Sequence, residues 1–440
     1  MRAYLKAGGW WATDRVLTAI ASALVQIALA RKLGPEDFGI LSHALALVAL
    51  LLPLSRAGLS GQLVKNILDD PKTEIDLLRS ALFWRVTGAF SAVLVGLLFL
   101  AETTQTRSPL GFFALIVLGA VGMALQVGES SVQARSAPRE LLPTRLLITV
   151  LAAMAKILAL TQPIDLGLLA WIFGLEFLLQ GLAQILLYRR YRGMWLFPEW
   201  NSQWSRYFST RAPWLVVSGL AEMVYLRIDI LMLRELRGPV EAGIYSTAAR
   251  LSEGWYAVPQ IAMVAVFPLL WQMRDSAERW NRGVQATADA LLWSAIAVAI
   301  AIQVFAEHLV IFVFGQDYSA AAPILAVHIW AGVFVFTRAL ISRWLIAEDL
   351  LKISLWSHGA GAITNVALNL WLIPPYGAKG AAFATLISYG IAGWAAFLIP
   401  VNTRPVALQV ARAITLPLRW REMRAYYKLL RPRGQSRQPH

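Results

Sequence analysis

The sequence predicts an all-α polytopic membrane protein, with twelve transmembrane helices in two six-helix bundles related by a pseudo-twofold axis along the membrane normal. Three observations carry that reading. Of the 440 residues, 58% are hydrophobic and only 15% charged, where soluble domains carry roughly 25% charged residues. Apolar runs of about 20 residues, enough to cross ~30 Å of hydrocarbon, recur along the whole chain. One turn motif occurs twice, at equivalent places in the two halves.

The predicted spans are 10–30, 38–60, 79–101, 109–134, 141–161, 166–188, 207–233, 239–271, 284–306, 323–347, 350–373 and 379–401. Pro259 and Pro268 are expected to bend the eighth. Residues 307–314 (EHLVIFVF) are too short to span and read as an interfacial segment. The first apolar run has no basic stretch and cleavage site around it, so it reads as a span and not as a removable signal. With no cysteine, disulfides, thiol catalysis and cysteine metal sites are excluded.

Loop charges orient the chain. With the N-terminus inside, the inner loops hold Lys65, Lys72, Arg79, Arg135, Arg139, Arg145, Arg189, Arg190, Arg192, Arg206, Arg274, Arg279, Arg282 and Lys352. The outer loops hold Arg31, Lys32, Arg107, Arg234, Arg237 and Lys379. That fourteen-to-six bias, together with basic termini, places both ends in the cytoplasm. The net charge is +14, and the last 39 residues supply nine Lys/Arg against one Glu. Within 418–431 (LRWREMRAYYKLLR) a basic row lies beside an apolar one, which suits a helix lying on anionic membrane lipids and not a nucleic-acid site. A plain positive-inside stop signal explains the same residues.

The turn motif is "LGPEDFGILSHA" (33–44) after the first span and "RGPVEAGIYSTA" (237–248) after the seventh. Gly34 and Gly238 match at an offset of 204. Six spans per half keep both halves in the same orientation, so a substrate path is expected between them. The units are 1–195, 196–402 and a basic cytoplasmic tail, 403–440.

Charges within spans cost at least ~2.5–3.5 kcal/mol each, so they are expected to face a wet cavity. They are Asp14, Arg15, Arg56, Arg85, Glu129, Lys156, Glu176, Glu222, Arg227, Asp229, Arg250, Glu253, Arg338 and Arg343. In the predicted orientation Arg15, Arg56, Arg85, Arg338 and Arg343 lie in the cytoplasmic halves, opposed there by Asp14 and Glu129. This describes an anion site open to the inside, where the arginine fork suits phosphate. Snorkelling to the headgroups is the plainer account of Arg15, Arg85 and Arg343. Arg250 and Glu253, three apart, share a face and read as an ion pair or as a pair that opens to an anion. Ser354, His358, Gly361, Asn365 and Asn369 form one polar stripe, which serves either as helix glue or, with Asp229, as oxygen ligands for a small cation. Glu129, Lys156, Glu222 and Arg227 are candidate cavity or coupling residues.

"ALARKLGPEDFGILS", "YLRIDILML…AGIYSTAARLSEG" and "PPYGAKGAAFATLIS" resemble, in order and spacing, the polysaccharide-transport flippases of the multidrug/oligosaccharidyl-lipid/polysaccharide exporter superfamily. The resemblance covers essentially the whole chain. It implies a V-shaped alternating-access transporter in the cell inner membrane that is no enzyme and needs no cofactor. Its substrate would be an undecaprenyl-pyrophosphate-linked oligosaccharide for O-antigen, capsule or exopolysaccharide assembly, and its partners a polysaccharide polymerase and chain-length protein. By position, the cavity arginines of the more distant lipid II flippases carry over to Arg15, Arg56 and Arg250, with Glu253 completing Arg-x-x-Glu. Those relatives have fourteen spans, and this chain has no room for the last two. The sodium site of some members carries over to Asp229, Asn365, Asn369 and Thr385. The second polar position is Asn where those members can have Asp, which lowers the charge. Sodium or protons are the candidate coupling ions. The alternative function is a cation-coupled multidrug exporter, which would want an acidic cavity. A membrane glycosyltransferase would need a large polar loop or paired outer carboxylates, and neither is present.

Overall fold

The computed structural model describes residues 2–102, 108–163 and 165–419, the backbone alone at 2–15, 100–102, 264, 265 and 351. It is 88% helix, and no strand occurs among the described residues. The helices are α1 (Arg2–Ser55), α2 (Ser60–Asp69), α3 (Glu74–Glu102), α4 (Pro109–Leu125), α5 (Glu129–Ala134), α6 (Leu142–Ala159) and α7 (Leu166–Arg192). The second part of the chain adds α8 (Ser202–Arg237), α9 (Pro239–Glu253), α10 (Ala257–Trp271), α11 (Ala277–Phe314), α12 (Ala322–His328), α13 (Ala331–Ala347), α14 (Leu351–Gly393) and α15 (Arg404–Ala413). Side-chain caps start several of them. Asp165 accepts from the Gly167 amide and Asn201 from the amides of Gln203 and Trp204, satisfying donors with no partner inside the helix.

The expected spans fall mainly on helix, while among the described residues eight stretches combine the length and hydropathy to cross a membrane, or nine with α12 and α13 (bent by 44°) taken as one. α8 is absent from that group, since Glu222, Arg227 and Asp229 interrupt its apolar run. α1 breaks at Gly34 and α14 at Gly377, so each holds two of the expected spans. Two expectations change. Residues 307–314 are the last two turns of α11 and not a separate interfacial segment, because the apolar run of 284–306 continues through them without a helix breaker. The eighth span breaks at 254–256, ahead of Pro259. A proline inside a helix clashes with the carbonyl four residues earlier, so the chain interrupts there and restarts with Pro259 in the first turn of α10.

Gly34, Gly238 and Gly315 have φ 74°, 95° and 100° with ψ 174°, 173° and 174°. Only glycine occupies that region without strain. The Gly34 and Gly238 turns stand face to face. A β-carbon added to Gly39 would lie 1.9 Å from the Pro239 carbonyl oxygen, and one on Gly243 would lie 1.9 Å from that of Pro35. The two copies of Gly-Pro-x-x-x-Gly therefore pack backbone to backbone across the halves, with small residues permitting the approach.

Other bonds join the halves at the same end. Arg31 donates to the carbonyls of Phe312 and, at 2.7 Å, Val313 in the last turn of α11. Tyr318 donates to the Ala30 carbonyl at 2.9 Å, and Arg234 to His43 at 2.8 Å. This Gly-turn end is the outer end in the charge-based orientation.

One core runs through both halves, joining Leu29, Phe38 and Leu115 to Leu233, Tyr245 and Ile373. Another lies wholly in the second half, around Phe336, Leu340 and Phe397. A third sets Phe208 and Ala212 of α8 among Leu59, Leu63 and Leu78. The start of α8 thus packs on the first half, because Phe208 and Ala212 share a helix face that fills the gap left between α2 and α3. The beginning of the tail is docked as well. α15 buries Val406, Ala407 and Val410, Trp293 donates to the Ala413 carbonyl, and Arg419 bonds Asp289 at 3.1 Å. Residues 420–431 of the expected amphipathic helix lie outside the described residues.

Candidate functional site

Among the described residues, two cavities of small-molecule size share part of their lining. The larger, about 680 Å³, is walled by α1, α6, α7, α8 and α9. The smaller, about 420 Å³, contains Arg56, Gln126, Glu129 and Arg145. Both are in the size range of small-molecule sites, and they share Thr18, Ser22, Phe177 and Gln180.

The charges are arranged in clusters. In the smaller cavity Arg56 donates to Gln126 at 3.0 Å, and Glu129 pairs with Arg145 at 3.2 Å. In the larger cavity Arg227 of α8 grips Glu253 of α9 through two parallel bonds of 2.8 and 3.0 Å, the strong bidentate geometry. Arg250 lines the same space, lies 5.4 Å from the Phe38 ring centroid and forms no ion pair among the described residues. The expected Arg250–Glu253 pair is therefore replaced. Positions three apart can meet on one helix, but Arg227 approaches from a neighbouring helix along the line of the carboxylate and takes both oxygens. Lys156 bonds Glu176 across α6 and α7, and its ammonium stands 3.8 Å over Phe173.

Several candidate residues sit elsewhere. Arg85 is buried at 1% exposure and bonds Ser60 at 3.0 Å. Arg338 bonds Ser354, Ser357, His358 and the Ala392 carbonyl inside the second half. Neither lines the two cavities, nor does the half-buried Arg343. Glu222, on α8, is also outside them. The expected five-arginine group is thus not brought together around the two cavities, because Arg338 is held by Ser354, Ser357, His358 and the Ala392 carbonyl in its own half and Arg85 turns to Ser60. The side chain of Arg15 lies outside the described residues.

Asp229 is buried and fully engaged. It accepts from the Tyr245 hydroxyl, from Thr385 Oγ1 at 3.1 Å and from the Ile230 amide at 2.9 Å. Lys156, another of the expected in-span charges, is held by Glu176. Thr385 connects onward. Ser388 donates to its carbonyl, Asn365 donates to Ser388 at 3.1 Å, and Asn369 donates to Asn365 at 2.9 Å. The polar stripe of the eleventh expected span is therefore divided. Ser354 and His358 hold Arg338, while Asn365 and Asn369 belong to the Asp229 network. Asn369 Oδ1 is buried with no partner, an acceptor that folding leaves unsatisfied at a cost.

Residues 4–274 match the family described as polysaccharide biosynthesis protein. The chain belongs to that family. It is similar to the probable low-salt glycan biosynthesis flippase Agl15 of Haloferax volcanii, with 22% identity over 178 residues. The match covers 40% of this chain, which spans only 38% of that relative. In fold it is similar to the lipid II flippase MurJ in an inward closed conformation, with a TM-score of 0.68, 12% identity and 92% of each chain covered. It is also similar to an inward-facing multidrug resistance MATE family transporter, with a TM-score of 0.64, 13% identity and coverage of 90% of this chain and 96% of that one. This family member is an all-helical, multi-span membrane protein with that shared fold.

Several site residues escape a reading of the sequence. Arg145 counts there as a loop charge, yet the structure places it against Glu129 inside the smaller cavity. Gln180 and Gln126 carry no charge to mark them. Tyr245 sits in the repeated motif, "AGIYSTA", where its hydroxyl is the one polar side-chain group on a large buried residue. That was a usable signal.

Proposed function

We propose that this protein carries a polyprenyl-diphosphate-linked oligosaccharide from the cytoplasmic to the outer leaflet by alternating access. The observation that carries the reading is a pair of joined cavities, the larger walled by both halves and the smaller by the first half alone. They are lined by guanidinium clusters (Arg56 with Arg145, Arg227 with Arg250) and lie behind bonds that close the Gly-turn end. The family, and the names of the glycan-biosynthesis and lipid II flippases it is similar to, support the same substrate class.

The chain's residues divide the work. Arg56 and Arg145 receive the diphosphate at the cytoplasmic side, with Arg15 a further donor in the same half. Arg250 holds the diphosphate deeper, and Arg227 exchanges Glu253 for a phosphate oxygen as it arrives. Each guanidinium presents donors in a fork matched to phosphate. The polyprenyl tail stays in lipid while the saccharide rides in the cavity, and the halves then rock to open the Gly-turn end. With the interior negative, each anionic charge moved outward gains ~2.3 kcal/mol per 100 mV. Twelve crossings, six per half, and cytoplasmic termini in the inner membrane complete the reading. A polymerase and chain-length protein would act on the delivered product.

The Asp229 carboxylate, the Thr385 hydroxyl bonded to it and, linked to Thr385 through Ser388, the side-chain oxygens of Asn365 and Asn369 are donor types suited to a small hard cation. Sodium bound there would supply coupling of transport to its gradient. Arg343 and Arg338 act from outside the cavities, on the second half's own packing.

The deciding experiment is translocation in proteoliposomes by Arg250→Ala and Arg250→Lys at matched protein levels. Alanine is expected to stop it and lysine to restore part, keeping charge but losing the fork. Wild-type rates in Arg250→Ala would remove the residue from the path. Uptake of organic cations in place of the lipid would favour a drug exporter.

A further inference from the structure

The two cavities join through a neck. Thr18, Ser22, Phe177 and Gln180 line both of them. Thr18 and Ser22 are four apart on α1, and Phe177 and Gln180 three apart on α7, so each pair shares one helix face. Gln180 donates to Thr149 and to Glu176 Oε1, each at 3.5 Å, contacts at the long limit of a hydrogen bond that leave much of the amide's capacity unused. Charges lie on both sides of this neck, and its own lining carries none.

We infer that the neck is the subsite for the sugar attached directly to the diphosphate, and that it selects an uncharged sugar. The inference rests on the flippase reading above. The first sugar is joined through a phosphate oxygen. With the diphosphate on either guanidinium cluster, a first sugar extending toward the other cluster enters the segment between them. Hydroxyls and a primary amide both donate and accept, as sugar hydroxyls do. The Phe177 ring, half-buried at the same place, offers an apolar surface to a pyranose C–H face.

Charge accounts for the selectivity. In the smaller cavity Arg56 and Arg145 face Glu129, and in the larger one Lys156, Arg227 and Arg250 face Glu176 and Glu253. Cations therefore exceed anions by one in each cavity among the described residues. A diphosphate diester brings two negative charges and matches that surplus. A carboxylate on the first sugar would be left without a cation, beside Glu176.

The test uses the full-length protein in detergent and three probes: polyprenyl diphosphate alone, the same lipid bearing one neutral hexose, and the lipid bearing a uronic acid. Thr18→Val keeps the shape and removes the hydroxyl, and Gln180→Ala removes the amide. Each is expected to weaken binding of the hexose-bearing lipid about fivefold, the worth of one neutral hydrogen bond, and to leave the bare lipid unchanged. Wild type is expected to bind the hexose-bearing lipid at least about tenfold tighter than the uronic acid form, a difference of ~1.4 kcal/mol. The inference is overturned if the variants lose both lipids equally, if neither variant affects the sugar-bearing lipid, or if the uronic acid form binds as well as the hexose form. Where Gln180→Ala unfolds, Gln180→Asn replaces it, with the same outcomes decisive. If wild type binds none of the three lipids, the flippase reading itself falls and the neck falls with it.

Discussion

Gly39→Ala tests how the outer end closes. The added β-carbon would lie 1.9 Å from the Pro239 carbonyl oxygen and 2.9 Å from the Gly243 amide nitrogen. Both neighbours are backbone, so no side chain can swing aside. Restoring an ordinary contact near 3.4 Å requires α1 and α9 to separate by roughly 1.5 Å at this point, and overpacking of that kind costs about 1–3 kcal/mol. The cost falls on the closed outer end alone, so the equilibrium should shift toward opening by about 5- to 150-fold. Because the chain has no cysteine, Ser42→Cys provides a clean reporter. Ser42 is 2% exposed, lines the larger cavity and lies one turn from Gly39. An impermeant maleimide added outside should label it slowly in an otherwise native background and much faster with Gly39→Ala. Gly243→Ala should act alike, its β-carbon meeting the Pro35 oxygen at the same distance. The double variant should add little, since one separation relieves both clashes. Gly61→Ala, with nothing within 4 Å, is the control. Labelling in Gly39→Ala no faster than in that control would refute the reasoning.

Two other outcomes follow from the buried charges. Arg227→Gln and Glu253→Gln should each destabilise the protein, and the double variant should recover part of the loss, with a coupling of ~1–2 kcal/mol in thermal unfolding. That is below the 3–5 kcal/mol cost of breaking a fully buried pair, as the side chains are 32% and 22% exposed. Additive effects would show that the fork does not hold α8 to α9. Asp229→Asn keeps the shape and the Thr385 contact but removes the charge, so transport should persist while its response to a sodium or proton gradient disappears. A variant that responds as wild type does would make Asp229 a structural carboxylate.

Much of this protein was legible from the order of its residues. Apolar runs in a chain that is 58% hydrophobic force helices, because lipid satisfies no backbone donor or acceptor. The Gly34 and Gly238 motifs marked two turns that pack on each other, since a positive-φ glycine turn followed by a small residue leaves a local trace in sequence. The turn at Gly315, of the same conformation as those at Gly34 and Gly238, escaped notice because it lacks the rest of the motif. The charged positions were also visible, each being costly at bilayer depth.

What the sequence alone could not determine was which charge faces which. Arg250 and Glu253 are neighbours along α9, yet Glu253 is claimed by Arg227 from α8. Arg85 and Arg338, residues of the same type as Arg56, line neither cavity: Arg85 bonds Ser60, and Arg338 bonds Ser354, Ser357 and His358 of its own half. Gln180 and Thr18 reach the neck with no charge to mark them. Hydrophobicity and turn chemistry act over a few residues and are written locally. The partner of a buried charge is decided by the approach of helices far apart in the chain, where a shift of an ångström or two exchanges one ion pair for another.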